Sequence, residues 1–286
     1  MAKQNKLLSA EASCKSCPLY HAAHLKELDV DMTNWDYIVA LAGNPNTGKS
    51  TVFNALTGLR QHTGNWPGKT ISRAEGGYIY DNKKYKVVDL PGTYSLIAAS
   101  IDEEIARDFV LFGQPSVTVV VVDAMRLQRN LNLVLQVLEI TGRVVICLNL
   151  IDEAARHGLQ IDHRLLARDL GVPVIPTVAR YEVGLAQLVR AIHEVATGKI
   201  KGRPYHVQNV PPELKHALKV LADKIKTAFP DLPNARWIAL RLLDGDESIA
   251  DALRKGDLGN LRRTTIQKTL NPPSDDIQPD EKTKIS

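Results

Sequence analysis

The chain has 286 residues, of which 44% are hydrophobic and 24% are charged. This composition can bury a hydrophobic core and excludes a disordered polymer, and the length suits one domain with an accessory unit. The formal net charge of +4 is too small to indicate a nucleic-acid-binding protein by itself. We expect neither a membrane span nor a secretion signal, and three cysteines fit a reducing compartment rather than a disulfide scaffold.

Short apolar runs alternate with longer amphipathic segments over residues 37–197. Such alternation is typical of a mostly parallel sheet that is covered by helices on both faces. The pattern therefore predicts an α/β domain. The predicted strands are residues 37–42, 77–80, 85–89, 117–122, 144–149 and 172–177, and the predicted helices are residues 50–57, 102–112, 130–141, 163–169 and 183–196.

The pattern changes after Gly198, where helical periodicity continues without strand-like runs. Residues 211–229 carry an apolar stripe behind a proline, as at the start of many helices, and residues 235–243 and 248–253 predict two shorter helices. We divide the chain into a polar leader at residues 1–35, the α/β domain at 36–198, a small all-helical domain at 199–262 and a disordered tail or linker at 263–286.

The segment from Gly43 to Ser50 matches the phosphate-loop pattern G-x4-G-K-[ST], between a predicted strand and a predicted helix. Its glycines allow backbone N–H groups to surround phosphates, and the helix start adds the positive end of its dipole. Lys49 is expected to reach the β- and γ-phosphates, and the Ser50 hydroxyl to bind Mg²⁺. The residues expected to line this part of a nucleotide site are Gly43, Asn44, Asn46, Thr47, Gly48, Lys49, Ser50 and Thr51.

A second motif, Asp89-Leu-Pro-Gly92, follows a later predicted strand. An aspartate at this point can hold the Mg²⁺ shell through water, and the Gly92 N–H can sense a γ-phosphate. Thr93 stands where many phosphate-loop nucleotide hydrolases carry a glutamine that orients the attacking water. Because a threonine does not reach as far, we expect slow intrinsic hydrolysis.

A third motif, Asn149-Leu-Ile-Asp152, ends another predicted strand and selects the base. An ionised aspartate only accepts hydrogen bonds, and guanine presents a ring N–H beside an exocyclic amine where adenine presents neither. Asp152 therefore predicts guanine. The more frequent form of this motif has lysine second, and Leu150 in its place bears on nucleotide affinity rather than on base choice. The last predicted contacts follow the final strand, at Thr177, Val178 and Ala179, with the Ala179 N–H expected to face the guanine oxygen.

In this order the motifs resemble those of a small GTPase domain. Together with Gly64-Asn-Trp-Pro-Gly-Lys-Thr70, they resemble the amino-terminal G domain of ferrous iron transport protein B. The resemblance covers residues 37–197 and extends more loosely to about residue 255, where that family carries a helical domain described as slowing nucleotide release. A membrane permease comes next in the family and is missing here. The resemblance therefore implies the soluble portion of a longer protein at the cytoplasmic face of the bacterial inner membrane.

The resemblance also implies roles for particular residues. Thr70 corresponds to the switch threonine that closes on Mg²⁺ and the γ-phosphate. Asn46 corresponds to the asparagine that binds K⁺ in cation-activated GTPases, with backbone carbonyls near Gly64 and Trp66 completing the shell; such a cation stabilises charge on the phosphates. Shaping of the loop is an equally open role for Asn46. The implied catalytic residues are Lys49, Thr70 and Asn46.

The implied function is binding of GTP or GDP with Mg²⁺, slow potassium-stimulated GTP hydrolysis, and regulation of ferrous iron uptake. The implied partners are the guanine nucleotide, the permease portion and small accessory iron-transport proteins, and no nucleic acid is expected. Two alternatives are open. A cytosolic GTPase of ribosome or transfer-RNA maturation would need an RNA-binding module, which residues 200–270 do not show. A metal-sensing interaction module would have a degenerate nucleotide site, against which the intact motifs argue.

The leader contains Cys14-x2-Cys17-x3-His21-x2-His24. Pro18 suits the first position of a helix, which would place the two histidines on one face beside the cysteines. Two thiolates and two imidazoles can form a tetrahedral zinc or iron site. The alternative is an exposed polar leader with incidental cysteines.

The remaining polar groups are interpreted as structural. Cys147 lies within an apolar strand and is expected in the core, and Lys69 is interpreted as a solvated charge. The other histidines show no metal-ligand spacing and are expected at the surface or without a role: His62, His157, His163, His193, His206 and His216.

Overall fold

Seven strands form one mixed sheet that organises the larger part of the molecule. The computed structural model describes residues 30, 34–58, 61–66, 69–97, 100–204, 211–230, 232 and 234–254. The strands lie in the order β2-β3-β4-β1-β5-β6-β7, with β2 and β3 antiparallel to their neighbours and all other pairs parallel. Their bounds are β1 Tyr37–Gly43, β2 Gln61–Asn65, β3 Ser72–Tyr80, β4 Lys83–Asp89, β5 Val117–Asp123, β6 Val144–Asn149 and β7 Val174–Pro176.

Six α-helices accompany the sheet in the described chain, and three more follow it. This arrangement confirms the predicted α/β domain with a mostly parallel sheet and a helical unit after it. The helices of the sheet region are α1 Lys49–Thr57, α2 Ile101–Leu111, α3 Leu127–Ile140, α4 Ile151–Arg156, α5 His163–Leu170 and α6 Leu185–Ala196, and those that follow are α7 Pro212–Ala228, α8 Ala235–Leu243 and α9 Glu247–Arg254.

Two elements that the sequence pattern did not predict are β2 and α4. Strand β2 has the sequence Gln-His-Thr-Gly-Asn, without apolar alternation, and it forms because its main chain pairs along the edge of β3, with Gly64 opposite Arg73. Helix α4 has only six residues, too few for a detectable hydrophobic period, and it starts behind Leu150, whose φ is 61°. Both elements border the candidate site.

Apolar residues fill both faces of the sheet. Strand β5 is buried along its whole length, so its alternating valines contribute to both layers. Val120 and Val122 pack with Leu133 of α3, whereas Val119 and Val121 pack with Phe53 of α1 on the opposite face. Cys147 is fully buried with its Sγ 3.2 Å from Thr177 Oγ1, and burial raises the pKa of its thiol to about 12. The prediction of a core cysteine is confirmed.

The packing of the α/β domain begins before the predicted boundary at residue 36. Val30 is fully buried within the core layer that contains Val120 and Leu133. Trp35 lies with its ring against Gly77 of β3, so closely that a methyl group on Gly77 would overlap the indole. These two residues, assigned to the polar leader from the sequence, belong to the packing of the sheet.

The helical unit shares a core with the ends of α2 and α3. Leu111 at the end of α2 is buried together with Leu218 of α7 and Trp237 of α8. The Asn234 amide Nδ2 donates to the carbonyls of Glu139 and Ile140 at 2.9 and 2.8 Å. The unit is therefore attached to the α/β domain through both apolar and hydrogen-bonded contacts. Among the described residues, no helix has the length and apolar character needed to cross a membrane.

One histidine departs from the expected surface position. His193 of α6 is 6% exposed, and its Nδ1 lies 2.7 Å from the hydroxyl of the fully buried Tyr85. Its Nε2 lies 3.4 Å from a carboxylate oxygen of Asp81. A buried polar side chain needs such partners, so His193 has a structural role that the spacing of histidines did not reveal.

Candidate nucleotide-binding site

The predicted motifs meet at one edge of the sheet. The strands that precede the motifs all run in the same direction, so their carboxyl ends lie at one edge of the sheet; these strands are β1, β4, β6 and β7. The phosphate-loop segment follows β1, the Asp89–Gly92 segment follows β4, and the two base-reading segments follow β6 and β7. Ligands of open α/β sheets bind at this edge.

The phosphate loop has the backbone that its glycines predict. Strand β1 ends at Gly43 and α1 starts at Lys49, with Gly48 in the left-handed region at φ 80°. No side chain caps the start of α1 and its first turn contains no acidic residue, so its N–H groups are available to an anion. Ser50 and Thr51 are exposed on this first turn, whereas Thr47 is buried with its hydroxyl donating to the Asn44 carbonyl at 3.0 Å.

The two asparagines of the loop differ in environment. Asn46 is exposed and adopts φ 65°, a conformation that asparagine tolerates better than most residues. Asn44 is 3% exposed, and within the described structure neither polar atom of its amide has a hydrogen-bond partner. Both were predicted to line the nucleotide site, and only Asn46 presents its side chain to solvent.

Lys49 and Asp89 form an ion pair across the site. Lys49 Nζ lies 2.5 Å from Asp89 Oδ1, and the side chains are 12% and 17% exposed. Burial raises the pKa of the Asp89 carboxyl, and the Lys49 ammonium opposes that increase without cancelling it. We predicted separate ligands for these residues, phosphate for Lys49 and the Mg²⁺ shell for Asp89. The structure instead shows them bound to each other.

The Asp89–Gly92 segment packs directly on the phosphate loop. The Thr93 N–H donates to the Gly43 carbonyl at 3.2 Å, and Gly92 lies against Pro45. The Thr93 hydroxyl donates to the Ser95 carbonyl at 2.6 Å and accepts the Ser95 N–H at 3.2 Å. Thr93 is 3% exposed, and both of these hydroxyl bonds are made within the turn.

Asn149 joins three loops of the site. Its side-chain Nδ2 donates to the Thr47 carbonyl at 3.0 Å, and its Oδ1 accepts the Ala179 N–H at 3.0 Å and the Thr177 hydroxyl at 3.3 Å. A Cβ atom at Gly48 would collide with the same amide. The Ala179 N–H, predicted to face the guanine oxygen, is thus hydrogen-bonded to Asn149 in this structure, and its contact with guanine stays a prediction.

Asp152 lies at the start of α4 with its two carboxylate oxygens in different environments. Oδ1 is buried and, among the described residues, has no hydrogen-bond partner. Oδ2 accepts a hydrogen bond from Arg156 Nη2 at 3.0 Å. A buried acceptor without a donor fits a ligand that supplies one, and the ring N–H of guanine is such a donor. Arg156 was missed from the sequence, although its i,i+4 spacing from Asp152 could have indicated it.

The switch arm, defined as strand β2 (Gln61–Asn65) with Trp66, Lys69 and Thr70, lies beside β3 at the edge of the sheet. Gly64 pairs with β3, and the Trp66 carbonyl accepts the Lys69 N–H at 3.0 Å. The K⁺ shell from carbonyls near Gly64 and Trp66 stays a prediction, since the Trp66 carbonyl keeps a second lone pair beside its hydrogen bond from Lys69. Thr70, the predicted switch threonine, is exposed at the end of this arm.

Two contacts attach this arm to helix α2. The buried Trp66 ring packs edge-on against Phe109 with centroids 5.6 Å apart. Lys69 Nζ lies 2.9 Å from Glu104 Oε2. The interpretation of Lys69 as a solvated charge is therefore wrong. Its partner Glu104 lies 35 residues away in the chain and is brought to it by α2.

The predicted leader metal site, Cys14, Cys17, His21 and His24, lies outside the described residues. Within the part of the chain that is described, no group of three or more histidine, cysteine, aspartate or glutamate side chains is arranged to hold a metal ion.

Comparisons with known proteins agree with this architecture. The family model of ferrous iron transport protein B matches residues 37–192, and that of the FeoB cytosolic helical domain matches residues 211–279. The Fe(2+) transporter FeoB of Salmonella typhimurium is 40% identical over 212 residues, and that of Escherichia coli K12 is 38% identical over 212 residues. Each alignment covers 73% of this chain and 27% of the relative, so the chain spans about a quarter of their length.

Solved structures give the same assignment. The cytosolic domain of L. pneumophila FeoB is 32% identical with a TM-score of 0.69, over 82% of this chain and 90% of that one. The cytosolic domain of the T. maritima FeoB iron transporter in its GDP form I is 35% identical with a TM-score of 0.69, over 81% and 92%. The sequence motifs, the sheet and its helical appendage, and these similarities together show that the chain belongs to the ferrous iron transport protein B family.

Proposed function

We propose that this chain binds GTP with Mg²⁺, hydrolyses it to GDP and phosphate, and thereby regulates ferrous iron uptake as part of a longer membrane protein. The observation that carries the proposal is the Asn149 hydrogen-bond network, which joins the phosphate loop to the base-reading segments at one sheet edge. Cytosolic domains of T. maritima FeoB are described in GDP and GMPPNP forms, which supports guanine nucleotide as the ligand here.

The residues present fit a nucleotide with its metal ion. The uncapped start of α1 and the Lys49 ammonium supply positive charge for phosphates. The exposed Ser50 hydroxyl and the Asp89 carboxylate offer the oxygen ligands that Mg²⁺ prefers, and Mg²⁺ would neutralise charge on the β- and γ-phosphates. On nucleotide binding, Lys49 would exchange Asp89 for phosphate and leave the carboxylate to the Mg²⁺ shell.

Hydrolysis is expected to be slow, because Thr93 does not reach as far as a glutamine that orients the attacking water. A monovalent cation beside Asn46 would supply part of the missing stabilisation of charge on the phosphates. Thr70 would join this shell if the switch arm closed over the loop. The whole protein would act at the cytoplasmic face of a bacterial inner membrane, with its permease portion and small accessory iron-transport proteins as partners.

Turnover of GTP and of ATP, each in K⁺ and in Na⁺, tests this function. We expect hydrolysis of GTP and not of ATP, with a several-fold faster rate in K⁺, since Na⁺ is too small for the same oxygen shell. Asn46→Ala should remove the difference between the salts and leave nucleotide binding largely intact, whereas Asn132→Ala, on the exposed face of α3, should change neither.

Four results would contradict parts of this proposal. Equal rates in the two salts would show that Asn46 only shapes the loop, and equal use of ATP would refute base selection by Asp152. Salt-dependent retention of RNA would favour the alternative of a cytosolic GTPase acting on RNA. Failure to bind any guanine nucleotide would favour a metal-sensing interaction module.

We further propose that the leader binds one zinc or ferrous ion through Cys14, Cys17, His21 and His24. Metal should bind near one equivalent, and its affinity should fall as the pH drops, because protonated thiols and imidazoles are not ligands. Replacing both cysteines by serine should remove the metal and leave GTP hydrolysis unchanged. Equilibrium dialysis under reducing conditions measures the stoichiometry, and uptake of neither metal would refute the site.

A further inference from the structure

Arg156 holds Asp152 at two points. Its Nη2 donates to Asp152 Oδ2 at 3.0 Å, and its Nε donates to the Asp152 backbone carbonyl at 3.3 Å. We propose that Arg156 is a positioning residue for base recognition, which orients the Asp152 carboxylate so that Oδ2 accepts the exocyclic amine of guanine. This inference rests on the proposed binding of guanine nucleotide.

The two carboxylate oxygens face different parts of the base. The oxygen, the ring N–H and the exocyclic amine follow one another along one edge of guanine, and the oxygen is expected at the buried Ala179 segment. The ring N–H is therefore matched with the buried, unpartnered Oδ1 of Asp152. The amine is matched with Oδ2, on the side of Arg156, whose side chain is 64% exposed.

A hydrogen bond from Arg156 does not prevent Oδ2 from accepting the amine. A carboxylate oxygen has two lone pairs, so Oδ2 can accept from the guanidinium and from the amine together. A carboxylate without this contact would turn about its Cβ–Cγ bond and present its oxygens in many orientations. Two donors of one planar guanidinium stop that rotation, because they engage both the side chain and the backbone of Asp152.

The competing explanation is an ordinary surface ion pair. Arg156 is four residues after Asp152 and also lies 4.0 Å from Glu153 Oε1, an arrangement that stabilises many short helices. Such a pair would support α4 and affect every nucleotide equally. Inosine diphosphate separates the two explanations, since its base keeps the ring N–H and the oxygen of guanine and lacks only the amine.

The test is calorimetric titration of GDP and of inosine diphosphate into the unaltered chain and three variants. We expect Arg156→Ala to weaken GDP binding by about three- to tenfold, as for partial loss of a charged hydrogen bond, and to weaken inosine diphosphate binding by a smaller factor, because that base forms one bond with the carboxylate instead of two. Arg156→Lys should fall between, because an ammonium lacks the planar fork. Arg190→Ala is the matched control: it removes the exposed i,i+4 pair with Glu194 on α6 and should change neither affinity.

The preference for GDP over inosine diphosphate is the decisive measure. An equal loss of affinity for both nucleotides in Arg156→Ala, or no loss for either, would overturn the proposal and leave Arg156 as a surface residue of α4. Absence of binding by the unaltered chain would refute the proposed function, which is a different result from an unchanged preference.

Discussion

Replacing Asp152 by asparagine should lower the affinity for GDP by about a hundredfold or more. The carboxylate offers two acceptors to guanine, and hydrogen bonds to a charged group are each worth about 1.5–3 kcal/mol. An asparagine replaces one acceptor with an amide N–H₂ that opposes a guanine donor. Asp169→Asn, on the exposed face of α5, is the control and should leave the affinity unchanged. Titration of GDP measures both.

The same substitution is expected to favour xanthine nucleotides, whose ring presents an oxygen in place of the amine. That gain requires the asparagine N–H₂ to occupy the place of Oδ2, beside Arg156. Because Arg156 only donates hydrogen bonds, it should hold the amide oxygen there and limit the gain. Asp152→Asn with Arg156→Ala should therefore bind xanthosine diphosphate more tightly than Asp152→Asn alone. Unchanged GDP affinity in Asp152→Asn would contradict base selection by this residue.

Replacing Gly77 by alanine should destabilise the protein by about 1–3 kcal/mol, as expected for overpacking of a filled site. In the interior of a strand this change is normally neutral or stabilising, because alanine loses less backbone entropy than glycine. Here the new methyl group would overlap the ring of Trp35 and approach the Tyr85 carbonyl at 2.7 Å. The sign of the change thus reports whether Trp35 packs on β3.

Chemical denaturation of the two glycine variants measures this effect. Gly64→Ala in β2 is the matched control, since a Cβ atom there has no neighbour within 4 Å, and its stability should be close to that of the unaltered chain. Trp35→Ala should lose stability by itself but relieve part of the penalty of Gly77→Ala in the double variant. A Gly77→Ala variant as stable as the unaltered chain would show that Trp35 does not occupy this position.

The sequence by itself determined those parts of the site whose chemistry depends on neighbouring residues. The phosphate loop needs glycines, a lysine and a hydroxyl within eight positions, and the left-handed Gly48 and the helix starting at Lys49 follow from that local pattern. Asp152 predicts guanine because its acceptors are a property of the side chain. The strands of the parallel core could also be predicted from the sequence, because burial on both faces requires continuous apolar runs such as β5.

Only the tertiary structure decided contacts between distant segments. Strand β2 has no apolar pattern and exists because β3 supplies its hydrogen bonds. Lys69 acquires its ion pair because α2 presents Glu104 to it. Trp35 joins the domain because Gly77 leaves space for its ring. Each of these outcomes depends on the free energy of a contact between segments far apart in the chain. Local propensity and residue spacing give no information about that free energy.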